Sequence, residues 1–342
     1  MIQKIRLRQF RSYLDQEFSF SAGVNIISGP NASGKTNLLE AVMFICRGTS
    51  FRVNTNELIM HSKNWARVDA ETDSEQRTVK LTTKPILTKL FNINNKDYRR
   101  LSAENQLPIV LFEPNDMLML SGSPQLRRSY LDNILDQIKP GFKQTRLNYQ
   151  KTLRQRNSLL KKGNINQADL FPWNFHLSRL GGVMAAAREE LTLKLGQNIN
   201  SVYQDLSNTK DDLCILYKPM LEVNSYESLL LKKLEETYEL DLLRGFTGSG
   251  PHLEDFEILI NGKSPLKVAS RGETRTIIVG LKILEDKILQ SSIKTKPIIL
   301  LDDVFSELDN NRSLYLEKLL HNRQSLITTT QHGPSDANMI VI

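Results

Sequence analysis

Residues 24–48 read VNIISGPNASGKTNLLEAVMFICRG. The apolar run VNIIS has the length and composition of a buried strand. GPNASGKT (Gly29–Thr36) is a glycine loop, and TNLLEAVMFICRG behind it has helical spacing. Strand, loop, helix is the context in which such a loop binds phosphate. Gly29 and Gly34 permit backbone conformations and a close approach that a side chain would block. The whole loop, Gly29, Pro30, Asn31, Ala32, Ser33, Gly34, Lys35 and Thr36, turns its free N–H groups toward phosphate oxygens at a helix amino terminus. Lys35 reaches the β- and γ-phosphates, and the Thr36 hydroxyl can ligate Mg²⁺. The reading is an α/β nucleotide-binding unit.

A second stretch supplies acids. PIILLDD (297–303) is an apolar strand that delivers carboxylates to its carboxyl end. Asp302 is the expected Mg²⁺ partner, and Asp303 is placed to orient or activate an attacking water. A third stretch, ASRGETR (269–275), puts Ser270, Arg271 and Gly272 at a loop just before a helix. A serine hydroxyl and N–H groups in such a loop can meet a γ-phosphate. Cradle and acids already surround one nucleotide, so this loop has a use if it docks on ATP held by a second copy of the chain. Read locally, Ser270 is also an ordinary helix N-cap.

Around these stretches, KIRLRQFRSY, QEFSFSAG, NWARVDAETDSEQRTVKLTT and PIVLFEP read as strands, as do DFEILING (255–262) and SLITTT. After PIVLFEP the period turns from two to 3.6. Leu126, Tyr130, Ile134 and Ile138 mark one helix, and Phe142, Tyr149, Leu153 and Leu160 mark the stripe of a second. Further helical regions are expected at about 174–206, 225–243 and 309–323. No long apolar heptad supports an extended coiled coil. The expected division is an ATPase lobe, 1–113 with 245–342, carrying an inserted helical lobe at 114–244.

Charge is distributed unevenly. Between Ser123 and Gly163, ten lysines and arginines stand against Asp132 and Asp136, a local excess above the +7 of the whole chain. Lys143, Arg146, Lys151, Arg154, Lys161 and Lys162 are the candidates for contact with DNA phosphates, which need no base readout. Trp65 and Trp173 read as core residues, and His252 as a turn or hydrogen-bonding residue. Cys46 and Cys214 lie far apart without metal-ligand spacing, which points to a reducing compartment and no disulfide framework. The opening MIQKIRLRQF lacks a secretory apolar stretch and the longest apolar runs are strand-sized, so the expectation is a soluble, cytoplasmic protein with no membrane partner.

Cradle, serine–glycine signature, double-acid strand and SELD (306–309) together resemble the ABC-type ATPases. Within those, the chain is similar to the RecF family of bacterial DNA repair proteins. IRLRQFRSY, GTSFRVNTNELI (48–59), LFEPNDMLMLSGSPQLRRSYLD (111–132) and GSGPHLEDFEILING (248–262) carry the likeness from end to end. The resemblance implies an ABC-type P-loop head with a mixed sheet and a mainly helical second lobe. It implies a homodimer that sandwiches two ATP molecules, each cradle facing the partner's Ser270 loop. It also implies slow Mg²⁺-dependent hydrolysis that resets the dimer, and binding to duplex DNA and to junctions at single-strand gaps. RecR and RecO would be partners in loading RecA during recombinational repair and replication restart. Three positions depart from the family pattern. Glu273 replaces a Gln, Leu253 replaces an Arg, and Thr330, Gln331 and His332 are all candidates for the switch residue. A transporter motor would carry its signature serine much nearer the cradle. A chromosome-organising or RecN-like ATPase would need long coiled coils. A small-molecule kinase would leave Ser270 and SELD without a role.

Overall fold

The computed structural model describes residues 1–303, 320, 322–329 and 337–342. In chain order the elements are β1 (Ile2–Phe10), β2 (Tyr13–Ser19), β3 (Val24–Ser28), α1 (Lys35–Arg47), β4 (Trp65–Thr72), β5 (Gln76–Thr82), β6 (Thr88–Ile93), β7 (Lys96–Tyr98), β8 (Ile109–Phe112), α2 (Leu118–Ser121), α3 (Pro124–Ile138), α4 (Phe142–Lys162), α5 (Gln167–Ser207), β9 (Leu213–Lys218), α6 (Tyr226–Glu236), α7 (Tyr238–Arg244), β10 (Asp255–Ile260), α8 (Pro265–Val268), α9 (Arg271–Ser292), β11 (Ile298–Asp302), β12 (Ser325–Thr329) and β13 (Asn338–Val341). Met1–Asp116 with Glu285–Ile342 form one compact unit, and Met117–Leu284 form another.

The first unit is built from two sheets and α1. Alternating strands such as β1, with Ile5, Leu7 and Phe10 buried and Arg6 exposed, need only one covered face. They make a six-stranded antiparallel sheet in the order β2-β1-β4-β5-β6-β7. Continuously apolar strands need cover on both faces. β11 is buried along its whole length, and it pairs in parallel with β12 and β8 in a five-stranded sheet ordered β13-β3-β12-β11-β8. The expected mixture of strand directions is thus distributed over two sheets. Between them α1 buries Leu38, Leu39, Val42, Phe44 and Ile45, and it stops at Gly48 in the left-handed region (φ 72).

The second unit is mainly helical. α5 runs for 41 residues and begins before Pro172, not after it as expected. A capping box between Asn166 and Asp169 starts the helix, and a proline this close to the end removes a single backbone hydrogen bond. The stretch expected as one helix at about 225–243 is divided into α6 and α7 at Thr237. β9, unassigned from sequence, pairs antiparallel with β10. That pairing, with Arg127 bound to Asp255 at 2.7 and 2.8 Å, places 245–284 with the helical unit and not with the ATPase lobe as expected. Arg156, one of the ten bases between Ser123 and Gly163, is fully buried. Its guanidinium donates to Asn174, Asp241 and Thr247, each at 2.7 Å. Trp65 is also outside its expected place. It lies half-buried on the outward face of β4 with Arg67 and Asp69. SELD, the helix at about 309–323 and the switch candidates Thr330, Gln331 and His332 lie outside the described residues, apart from the last positions of that helix.

Candidate nucleotide site

The loop between β3 and α1 is held by close contacts that leave no room for side chains at its glycines. Gly34 sits at φ 111, and a Cβ there would meet Ser12 Oγ and Tyr13 Oη at 2.9 Å. A Cβ on Gly29 would lie 2.6 Å from the Ile342 carbonyl oxygen. The Tyr13 hydroxyl donates to the Gly34 carbonyl at 3.0 Å, which fixes the start of α1. No side chain caps that helix start, so its amide dipoles and N–H groups are available to an anion. The Lys35 ammonium is largely buried and donates to the carbonyls of Gly29 and Pro30, 2.8 Å each. It is thereby held over the loop.

Asp302 comes to this loop from the carboxyl end of β11. Thr36 Oγ1 donates to Asp302 Oδ1 at 2.8 Å, although the two residues are distant in sequence. Parallel pairing of β11 with β12 sets Thr328 opposite Asp302, and the Thr328 hydroxyl donates to Oδ1 at 2.9 Å. A hydroxyl and a carboxylate in contact are hard oxygen donors of the kind Mg²⁺ takes alongside phosphate oxygens. Thr36 and Asp302 therefore fit the ion the sequence called for. Thr328 was missed. Its signal was the run SLITTT, read from sequence only as a strand; its place beside PIILLDD comes from the sheet pairing. Asp303 adopts φ 52, a left-handed conformation uncommon outside glycine, and its N–H donates to Thr328 Oγ1 at 2.9 Å.

The signature loop belongs to the second unit. Ser270 is exposed at the start of α9 and forms a capping box: Glu273 N–H donates to Ser270 Oγ at 3.2 Å, and Ser270 N–H donates to the Glu273 carboxylate at 2.6 Å. Ser270 is thus the local N-cap that its sequence also allowed. Its own N–H is engaged, a correction to the expectation that this loop's N–H groups face outward freely. Arg271 is exposed, and Gly272 is half-buried.

On α4, Phe142, Tyr149 and Leu160 are buried as the stripe requires, while Lys151, Arg154, Lys161 and Lys162 lie away from that stripe, Lys151, Lys161 and Lys162 exposed and Arg154 exposed with them. Arg146 belongs to a different class, since it binds Asp136 at 2.5 Å. Lys143 is half-buried. The tie between α4 and the GSGPH segment is Tyr149, whose hydroxyl donates to His252 Nδ1 at 2.7 Å while His252 Nε2 donates to the Thr247 carbonyl at 3.2 Å. Burial drives the His252 imidazole down from its ordinary 6.5 to about 4. Among the described residues no helix is long and apolar enough to cross a membrane, and no group of three His, Cys, Asp or Glu side chains could hold a metal.

The family model described as RecF/RecN/SMC N terminal domain matches residues 1–339. The chain is 34% identical to "DNA replication and repair protein RecF" of Acaryochloris marina, with 99% of this chain and 95% of that protein covered. It is 35% identical to the protein of the same name from Streptococcus gordonii, over 96% of this chain and 93% of the relative. Among solved structures it resembles the "recombination mediator protein RecF-ATPrS in RecFOR pathway" with a TM-score of 0.89 and 32% identity, over 100% of this chain and 96% of that one.

Proposed function

Because the chain belongs to the RecF family, within the RecF/RecN/SMC N-terminal domain group, we propose that it is an ATP-dependent DNA-binding clamp of DNA replication and recombinational repair. The observation that carries this reading is the contact between Thr36 and Asp302, steadied by Thr328. It joins the phosphate loop to the acid strand as an Mg²⁺–nucleotide site requires. The likeness to a solved RecF structure with an ATP analogue supports the same ligand.

Bound ATP with Mg²⁺ supplies a γ-phosphate for recognition and an anhydride for hydrolysis. Lys35 neutralises phosphate charge at the amino terminus of α1, and Thr36 with Asp302 holds the ion. Asp303 takes the proton of the attacking water. The exposed Ser270, with Arg271 and Gly272, serves the nucleotide of a second copy, so the triphosphate joins two protomers. Slow hydrolysis ends that pairing. The exposed cations of α4 rest on DNA phosphates, at duplex and at single-strand gaps. RecO-, RecR- and RecA-type proteins act downstream in the cytoplasm.

Sedimentation of mixed variants tests the composite site. Lys35→Met and Ser270→Arg proteins are each expected to stay monomeric with ATP. Their mixture is expected to form a dimer with one competent site. If both variants pair with ATP as the native chain does, the reading is overturned.

A further inference from the structure

The outward face of the six-stranded sheet carries a cluster that neither the nucleotide nor α4 uses. Successive side chains of a strand point to opposite faces. Leu7, Val68, Val79 and Phe91 face the core, which leaves Arg8, Arg67 and Lys80 outward. The register sets Arg67 directly opposite Arg8 on one side and Lys80 on the other. Three cations therefore form one row across three strands, about 10 Å long at roughly 5 Å per strand. Like charges directly opposite one another destabilise a sheet.

Compensation within the row is incomplete. Asp69 accepts from Arg8 Nη2 at 2.7 Å and from Arg67 Nε at 2.8 Å. Arg8 Nε is buried with no hydrogen-bond partner among the described residues. Lys80 is exposed, and among the described residues it has no acidic partner. Lys63 and Lys84 are likewise exposed at the same end of the β4–β5 pair, where Thr83 N–H donates to the Asn64 carbonyl at 2.9 Å. Trp65 lies on this face too, two residues from Arg67 and opposite Thr82.

We propose that this end of the sheet binds single-stranded nucleic acid, its phosphates along Arg8, Arg67 and Lys80 and an unpaired base on Trp65. The assignment deepens the reading above and rests on it. A row of cations beside a half-buried indole is the combination that holds an unpaired strand. Charge follows the backbone, and an aromatic face takes a base only when that base is unstacked. The neighbouring rows carry acids. Arg6 is paired with Asp15 at 2.7 Å, Lys4 with Glu17 at 2.7 Å, and Glu71 is exposed beyond them. A single backbone can follow the cationic row alone. A duplex laid on the same face would bring its second backbone over those carboxylates.

Trp65 reports on its own site. In the full chain with Trp173→Phe it is the sole tryptophan, since the sequence contains two. Titration with a dT oligonucleotide is expected to quench its emission, with the quench reversed by added salt. Lys80→Glu is expected to weaken that binding about tenfold, and Lys80→Arg to preserve it. A duplex of equal length is expected to leave the emission unchanged. If the oligonucleotide binds by anisotropy while Trp65 does not respond, or if Lys80→Glu binds equally well, the site is overturned and the DNA reading stands. Equal quenching by duplex overturns the single-strand assignment. If neither nucleic acid binds in any nucleotide state, this proposal and the DNA reading fail together.

Discussion

Glu273 stands where the signature of the resembled ATPases has a glutamine, and its geometry explains how the chain accommodates it. The carboxylate accepts the Ser270 N–H, a bond that a glutamine carbonyl can also accept. The cap therefore does not require the charge. In the proposed pairing the Ser270 loop meets a second copy's γ-phosphate, and the negative charge of Glu273 opposes that contact. Glu273→Gln is expected to leave thermal stability within about 0.5 kcal/mol and to lower the ATP concentration needed for dimerisation several-fold, read by sedimentation. Glu273→Ala is expected to cost about 1 kcal/mol, because the capping box then has no acceptor for the Ser270 N–H. His252 makes a second prediction at this scale. Its folded pKa of about 4 lies below its ordinary 6.5, so the unfolded chain binds the extra proton between those values. Stability is full above pH 6.5 and falls as pH drops toward 4, by roughly 3 kcal/mol for this group. Thermal unfolding across that window is expected to show a shallower acid slope for His252→Gln than for the native chain.

At the scale of the element, α4 shows how far periodicity reaches. The stripe Phe142, Tyr149, Leu153 and Leu160 was legible because its spacing repeats on one helix face; the structure buries Phe142, Tyr149 and Leu160 and leaves Leu153 half-buried. The charges on the other positions were less legible, because a sequence does not say which base meets an acid from another element. Arg156 is drawn inside by Asp241 of α7, Arg146 is taken by Asp136 of α3, and Arg127 by Asp255 of β10. Lys151, Arg154, Lys161 and Lys162 are the bases that remain exposed on α4. Reversing Lys151, Arg154 and Lys161 to Glu is expected to weaken DNA binding and to lower the slope of log affinity against log salt by about one for each phosphate no longer neutralised. Titrations at several salt concentrations check this. Arg146→Glu is expected to act through stability, since it sets a second carboxylate beside Asp136.

Across the whole molecule, the candidate site depends on strands brought together from distant parts of the sequence. Asp303 follows β11 and its N–H is held by Thr328 of β12, so its place beside Asp302 and the phosphate loop depends on those strands running parallel beside β3. Asp303→Asn is expected to slow hydrolysis about a hundredfold or more while leaving nucleotide binding intact. The ATP-bound dimer should then persist on a sizing column for hours. What the sequence determined by itself was everything governed by neighbours along the chain. The phosphate loop, the acid-ended strand, the serine that opens α9 and the apolar stripe of α4 are local patterns, and local patterns are written in consecutive residues. Only the tertiary structure decided the pairing of Thr36 with Asp302 and Thr328, the burial of Arg156, the membership of 245–284 in the helical unit, and the outward placement of Trp65 beside Arg67 and Lys80. Each of these depends on strand register or on which charge meets which. A side chain's partner across a sheet or a core is fixed by the whole packing, not by the residues on either side of it.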